Sequence, residues 1–212
     1  MTQTDTAGYV AGHPIPEVIQ GINAFTLGLR SVKPQATVKV IWLGEWFNPP
    51  REREAAETLM NQGADVLAFH TGSSAVMAAA EERGALAVAY HSDMRAVAPR
   101  AQILAITHQW GDYYTRRVRQ VQDGSWQSGN LWGGVEAGMV RVEAFGPQVP
   151  QAVRAEVLAR QRDIAAGRLR PFAGPISDNE GRLRLPRGQT LTDPQILNMD
   201  FLVAGVVGKP TR

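Results

Sequence analysis

With 212 residues, 44% of them hydrophobic and 20% charged, the chain has the size and balance for one good core or two small ones. Twenty-two Lys and Arg against 20 Asp and Glu leave a formal charge of +2, which gives no basis for a nucleic-acid partner. The absence of cysteine excludes a disulfide, a thiolate nucleophile, a Cys-ligated zinc and a lipid-bearing Cys.

Met1–Asp5 has neither a basic n-region nor an apolar h-region. No later stretch approaches the roughly 20 apolar residues needed to cross a bilayer. As written, the chain carries no export signal or anchor, so it is expected in the cytoplasm if Met1 is the true start.

From Gly8 to Asp93 the chain reads as strand and helix in alternation. Gly8–Gly12 is a short strand. Glu17–Val32 carries Val18, Ile22, Phe25 and Leu29 at helical spacing, and Pro34 follows its end. Val38–Leu43 is β-branched and predicts a strand. Asn48 before Pro49 and Pro50 predicts an N-cap and first turn of a helix through Gln62, with Gly63 as its C-terminal stop. The unit then recurs: strand Val66–Phe69, a helix capped by Ser73 or Ser74 and running to Arg83, Gly84, and strand Leu86–Tyr90. Repeated βα units predict an α/β fold with a parallel, doubly wound sheet. Beyond strand Ile103–Ile106, Asp112–Gln122 reads as a helix with Tyr114, Val118 and Val121 in one apolar stripe. Trp132–Phe145 reads as strand or hairpin, and Pro150–Ala166 as a helix. Asp178–Gly181 is a turn leading to the short run Arg182–Leu185. Thr192–Gln195 forms a capping box that opens a last helix through roughly Val203. No linker divides the chain.

Four strands run out into polar or aromatic clusters: Glu45–Asn48, His70–Ser74, His91–Asp93 and His108–Gly111. The carboxyl ends of parallel strands line one crevice, so these clusters should meet. Trp46 and Phe47 are either core residues or stacking platforms for a planar heterocycle, and Trp110 has the same two readings. Asp93 suits paired sugar hydroxyls, or simply caps the turn Met94–Val97. The segment His70, Thr71, Gly72, Ser73 resembles a polar nest at a helix N-terminus, able to hold a phosphate, a hydroxyl or water. His13, His70, His91 and His108 all lie at strand ends but lack ligand spacing, so no metal is expected. There is no G-x-S-x-G elbow, no dinucleotide or P-loop fingerprint and no catalytic carboxylate pair. These residues predict binding without a cofactor and without catalysis.

Gly8–Ala11, Ile15–Phe25, Trp46–Pro49, Arg51–Ala56, Gln62–Val66, Tyr90–Met94, Gly111–Tyr114 and Pro171–Ile176 together resemble the basic membrane protein family of ABC-transporter substrate-binding proteins, which includes purine-nucleoside and adenine binders. The likeness runs in order from Gly8 to Gly208. It implies a type I periplasmic-binding-protein fold: two α/β lobes closing on a ligand, exported to the periplasm or the outer face of the plasma membrane, often through a lipidated Cys. It also implies that residues 1–212 are the second lobe, with 107–125 crossing toward a first lobe absent from this sequence, belonging to a longer gene or a separate chain. By the resemblance, Trp46, less so Phe47, stacks on the purine. The turn His70, Thr71, Gly72 and Ser73 together with His91 supplies polar contacts, Asp93 meets sugar hydroxyls, and Trp110 stands beside the ligand. The implied partners are a purine and the importer's permease. The rival reading is a nucleoside hydrolase or phosphorylase using Asp93 and His91, because one α/β scaffold hosts many functions.

Overall fold

The computed structural model describes residues 1–210. In chain order the first elements are β1 (Thr6–Ala11), α1 (Pro16–Val32), β2 (Thr37–Trp42), α2 (Pro49–Asn61), β3 (Val66–His70) and α3 (Ala75–Arg83). Then come β4 (Leu86–His91), β5 (Gln102–His108), α4 (Trp110–Gln122), β6 (Val140–Glu143) and α5 (Gln151–Ala165). The chain ends with β7 (Ile176–Ser177), β8 (Leu183–Leu185), α6 (Asp193–Leu197) and β9 (Val206–Val207). Seven strands form one sheet in the order β6-β5-β4-β3-β1-β2-β9; β7 and β8 pair separately. All neighbours in the large sheet are parallel except β5 and β6, which run antiparallel, so the doubly wound sheet ends in one reversed edge strand.

The sheet order fixes where the helices go. From β1 the chain moves to β2 on one side, then returns past β1 to β3, β4 and β5 on the other. Right-handed crossovers in opposite directions place helices on opposite faces. Val18, Ile19 and Ile22 of α1 accordingly pack with Ala7, Tyr9, Ala11 and Val38 on one face. Ala55, Ala56 and Leu59 of α2 and Val76, Met77, Ala79 and Ala80 of α3 pack with Val10, Leu67, Phe69, Ala87 and Ala89 on the other. The helix signals act as expected: Asn48 accepts from the Arg51 amide at 3.2 Å, and Gly84 ends α3 at φ 68°, where a side chain is disfavoured.

Two expectations are corrected. The last helix stops at Leu197 instead of near Val203. Met199, Leu202 and Val203 have helical spacing, yet they are buried in an irregular segment. Its polar groups bond elsewhere: the Val203 amide donates to Asn23 Oδ1 at 2.9 Å, and Asn23 Nδ2 donates to the Phe201 carbonyl at 2.7 Å. The strand or hairpin expected over Trp132–Phe145 reduces to the single four-residue strand β6. Gly133, Gly134 and Gly138 occupy a tight turn in which the Met139 amide donates to the Gly134 carbonyl, and glycine weakens strand pairing there.

Candidate functional site

The order β2-β1-β3-β4 reverses direction between β1 and β3, so the loops leaving those two strands open away from each other at one end of the sheet. Trp46 lies over this point. Its ring is so close to the Gly12 backbone that a Cβ there would sit 2.7 Å from the six-membered ring, and only glycine permits the approach. The Trp46 carbonyl accepts from the Gly72 amide at 2.7 Å, tying the loop after β2 to the loop after β3. Trp46 remains 45% exposed and Phe47 66%.

From Trp46 a run of rings follows the strand ends. His13 lies 4.9 Å from Trp46 between centroids, Trp46 5.9 Å from His70, and His70 4.6 Å from Tyr90. Tyr90 is 3.8 Å from His91, His91 5.0 Å from His108, and His108 5.7 Å from Trp110, their planes nearly parallel at 15°. Trp110 then stacks on Tyr114 at 5.8 Å. His91 adopts φ 70°, a left-handed conformation that costs a non-glycine residue about 1–2 kcal/mol and that is concentrated at binding sites.

The imidazoles of His70, His91 and His108 favour the neutral form. Burial, reinforced by His108, holds His70 down to about 4. Burial and then the neighbouring His108 and His70 hold His91 down to about 4 as well, and burial lowers His108. Nδ1 of His91 and Nδ1 of His108 are 3.2 Å apart, so one donates and the other accepts. The Tyr90 hydroxyl meets His70 Nε2 at 3.2 Å. The Glu17 carboxylate, largely in solvent, lies 3.9 Å from the same nitrogen. Among the described residues no group of three or more His, Asp or Glu is placed to hold a metal ion.

The nest after β3 is filled by the chain itself. Glu52, fully buried in α2, accepts from Thr71 Oγ1 at 2.8 Å, from Ser73 Oγ at 2.7 Å and from the Ser73 amide at 3.3 Å. Its other oxygen accepts from the Asn48 amide at 3.1 Å. The carboxylate thus occupies the place at the start of α3 where an anion would sit. Asp93 is similarly engaged. Arg95 donates to both its oxygens through Nε at 3.0 Å and through Nη2 at 2.6 Å. The Arg95 amide and Gln102 Nε2 add bonds at 3.1 and 3.0 Å. Arg95 is the main reason the carboxyl is lowered to about 2.

The sequence-predicted residues therefore fall into two sets. Trp46, His70, His91 and Trp110 join one ridge, and Phe47 and Gly72 flank its start. Thr71 and Ser73 turn inward to Glu52, and Asp93 braces the turn after β4. Tyr90, His13 and His108 belong to the ridge although sequence reasoning did not name them as binding residues; their positions at strand ends were the available signal. Glu52 carried none, since a glutamate in the first turn of a helix is ordinarily a solvated capping group.

A family model described as ABC transporter substrate-binding protein PnrA-like, Bmp for short, matches residues 1–169. The chain belongs to this family. It is 41% identical over 209 residues to a purine-binding protein of Brucella abortus, covering 99% of this chain and 59% of that protein. It is 37% identical over 180 residues to a putative ABC transporter glucose-binding protein of Haloferax volcanii, covering 85% of this chain and 46% of that one. The chain thus spans about half the length of these Bmp relatives. Among solved structures, a transcriptional activator of the comK gene from Bacillus halodurans superposes with a TM-score of 0.69 at 21% identity, over 80% of this chain and 59% of that one. An ABC transporter solute-binding protein from Conexibacter woesei gives 0.65 at 20% identity, over 79% and 57%. At such identities the likeness is one of fold. No helix among the described residues is long and apolar enough to cross a membrane.

Proposed function

We propose that this chain is the second lobe of a solute receptor that binds a purine nucleoside or nucleobase and delivers it, outside the cytoplasm, to an ABC permease. The observation that carries the reading is the run of rings from His13 to Tyr114 along one end of the sheet, in which Trp46, Trp110 and Tyr114 are exposed. Flat rings favour a planar heterocycle, each stacked base being worth about 1–3 kcal/mol. Imidazoles that stay neutral near pH 7 offer donors and acceptors without charge, which suits a nucleoside better than a nucleotide. The nest that would take a phosphate already holds Glu52. The Brucella relative is named for purine binding. In this reading Trp46 is the main stacking surface and Phe47 its neighbour. His70 and His91 meet the polar edge, Thr71, Gly72 and Ser73 shape the loop, and Trp110 closes the far end. Asp93 reaches ribose hydroxyls where Arg95 yields to the ligand. A first lobe, packed against α4, supplies the opposite wall, and closure of the two lobes buries the ligand.

Glucose is the rival ligand, because the Haloferax relative is named for it. Calorimetry on a two-lobe form, made by joining this chain to the part of the Brucella relative it does not match, separates the two. Adenosine or adenine is expected to bind, glucose is not, and Trp46→Ala is expected to weaken purine binding tenfold or more, a loss of about 1.4 kcal/mol or greater. Glucose binding without purine binding would overturn the proposal. Chromatography of the recovered nucleoside tests the enzymatic alternative: intact adenosine supports a receptor, and released adenine a hydrolase.

A further inference from the structure

His91 ends β4 and His108 ends β5. The parallel register that sets His91 beside Thr107 brings the two imidazoles together across 17 residues of chain, so strand pairing creates a juxtaposition that spacing along the sequence does not announce. Their Nδ1 atoms stand 3.2 Å apart. Two nitrogens bound to one ion at about 2.0–2.1 Å, at a square-planar or tetrahedral angle, stand about 2.9–3.4 Å apart. The ring centroids lie 5.0 Å apart with planes at 37°. Imidazoles sharing an ion at those angles put their centroids about 4.5–5.2 Å apart, whereas rings facing each other along a straight N–H···N bond of this length put them about 5.5 Å apart. The pair has both the separation and the bend of two ligands on one ion.

We propose that Nδ1 of His91 and Nδ1 of His108 chelate a divalent transition-metal ion of the Cu²⁺, Ni²⁺ and Zn²⁺ class, Cu²⁺ most tightly. Imidazole suits these ions, and at a nitrogen site affinity along the series peaks at Cu²⁺. Both rings favour the neutral form, so at pH 7 the ion does not compete with an added proton. The ring that donates within the pair shifts its proton from Nδ1 to Nε2 when the ion arrives, and none is released. Stacking of His108 on Trp110 and of His91 against Tyr90 limits the freedom of both rings, and ligands ordered beforehand lose less entropy on binding. The Glu17 carboxylate acts on both imidazoles in the direction that favours positive charge, which draws a cation to the same place. His91 is exposed and His108 half-buried, so an ion reaches them from solvent. No third side chain is in place among the described residues, and the other coordination positions fall to water.

The assignment goes beyond the purine reading, does not rest on it, and is tested without any purine. Cu²⁺ titrated at pH 7 into the untagged 212-residue chain is expected by calorimetry to bind as one equivalent at micromolar strength or tighter. Electron paramagnetic resonance of the bound Cu²⁺ is expected to show nitrogen hyperfine structure from two imidazoles. His91→Asn, chosen because asparagine accepts the φ of 70° at this position, and His108→Asn are each expected to weaken binding at least tenfold. The hyperfine pattern is read on the parent chain, so it decides the matter even where a variant fails to fold. Absence of binding at micromolar Cu²⁺, or a spectrum without two imidazole nitrogens, would overturn the assignment. So would a loss in His13→Asn as large as that in His91→Asn, which would place the ion elsewhere on the ridge.

Discussion

Glu52 shows how far one side chain governs the loop that carries Trp46. It joins the start of α2 to the Thr71 and Ser73 hydroxyls, and the same β3 loop is tied to the Trp46 carbonyl through Gly72. Glu52→Ala leaves two buried hydroxyls without an acceptor, each such orphan costing about 1–3 kcal/mol. Urea unfolding is expected to show a loss of about 2–4 kcal/mol, and Glu52→Gln, which keeps an acceptor oxygen, a smaller one. His70 makes a second prediction at this scale. It is packed among Trp46, Tyr90 and His91, faces the Tyr90 hydroxyl and the Glu17 carboxylate, and feels His108. An unfolded histidine titrates near 6.5, whereas folded His70 does so at about 4. Between those values the unfolded chain takes up a proton that the folded chain refuses, so stability is full above pH 6.5 and falls as pH drops toward 4. The single-site loss is about 3 kcal/mol by the bottom of that window. Thermal melts from pH 7 to pH 4 are expected to fall less steeply for His70→Gln. The ridge itself was legible as strand ends carrying His and Trp. The Glu52 partner of Thr71 and Ser73 and the Gln102 contact to Asp93 were not, because they reach across 19 or 21 and nine residues respectively, distances at which sequence carries no sign of a hydrogen bond.

Helix α4 differs from the elements around it. Its 13 residues bury none of their number, and Tyr114, Val118 and Val121 are 58%, 57% and 63% exposed. Its Arg117 guanidinium lies over the Tyr113 ring at 5.1 Å, so part of its order is local. An apolar stripe of this kind on an isolated chain promotes association. Light scattering is expected to show concentration-dependent oligomers, and Val118→Lys with Val121→Lys to shift the chain toward monomer; a monomer before substitution would contradict this. Elements with local punctuation were legible: Asn48 with two prolines, Gly84, and the Thr192–Gln195 box, where the Thr192 amide donates to Gln195 Oε1 at 2.8 Å. Elements fixed by distant partners were not. β9 is two residues long and exists because β2 offers Val38 and Lys39 to pair with. The segment 198–203 has helical spacing yet follows Asn23 of α1.

For the molecule as a whole, the open features have one property in common. The ring ridge and the stripe of α4 each present one surface with nothing opposite, and the chain spans 59% of its Brucella relative. A ligand held between two lobes loses water on both sides. On the proposed reading, a purine held on this chain alone would keep one face solvated and gain half of the stacking and few of the edge contacts. Two forfeited stacking or hydrogen-bonded contacts at about 1–3 kcal/mol each amount to roughly one and a half to four decades in affinity. Isothermal titration of adenosine into the 212-residue chain is therefore expected to give heats too weak to fit at micromolar protein. The two-lobe form should bind at least a hundredfold more tightly. The comparison requires monomer, because association through α4 would cover surface next to Trp110; the Val118→Lys, Val121→Lys variant, which leaves the ring ridge intact, provides it. Adenosine bound by that monomer at micromolar strength or better would show that one lobe suffices as a receptor, and the reading of the ridge as half of a cleft would fall.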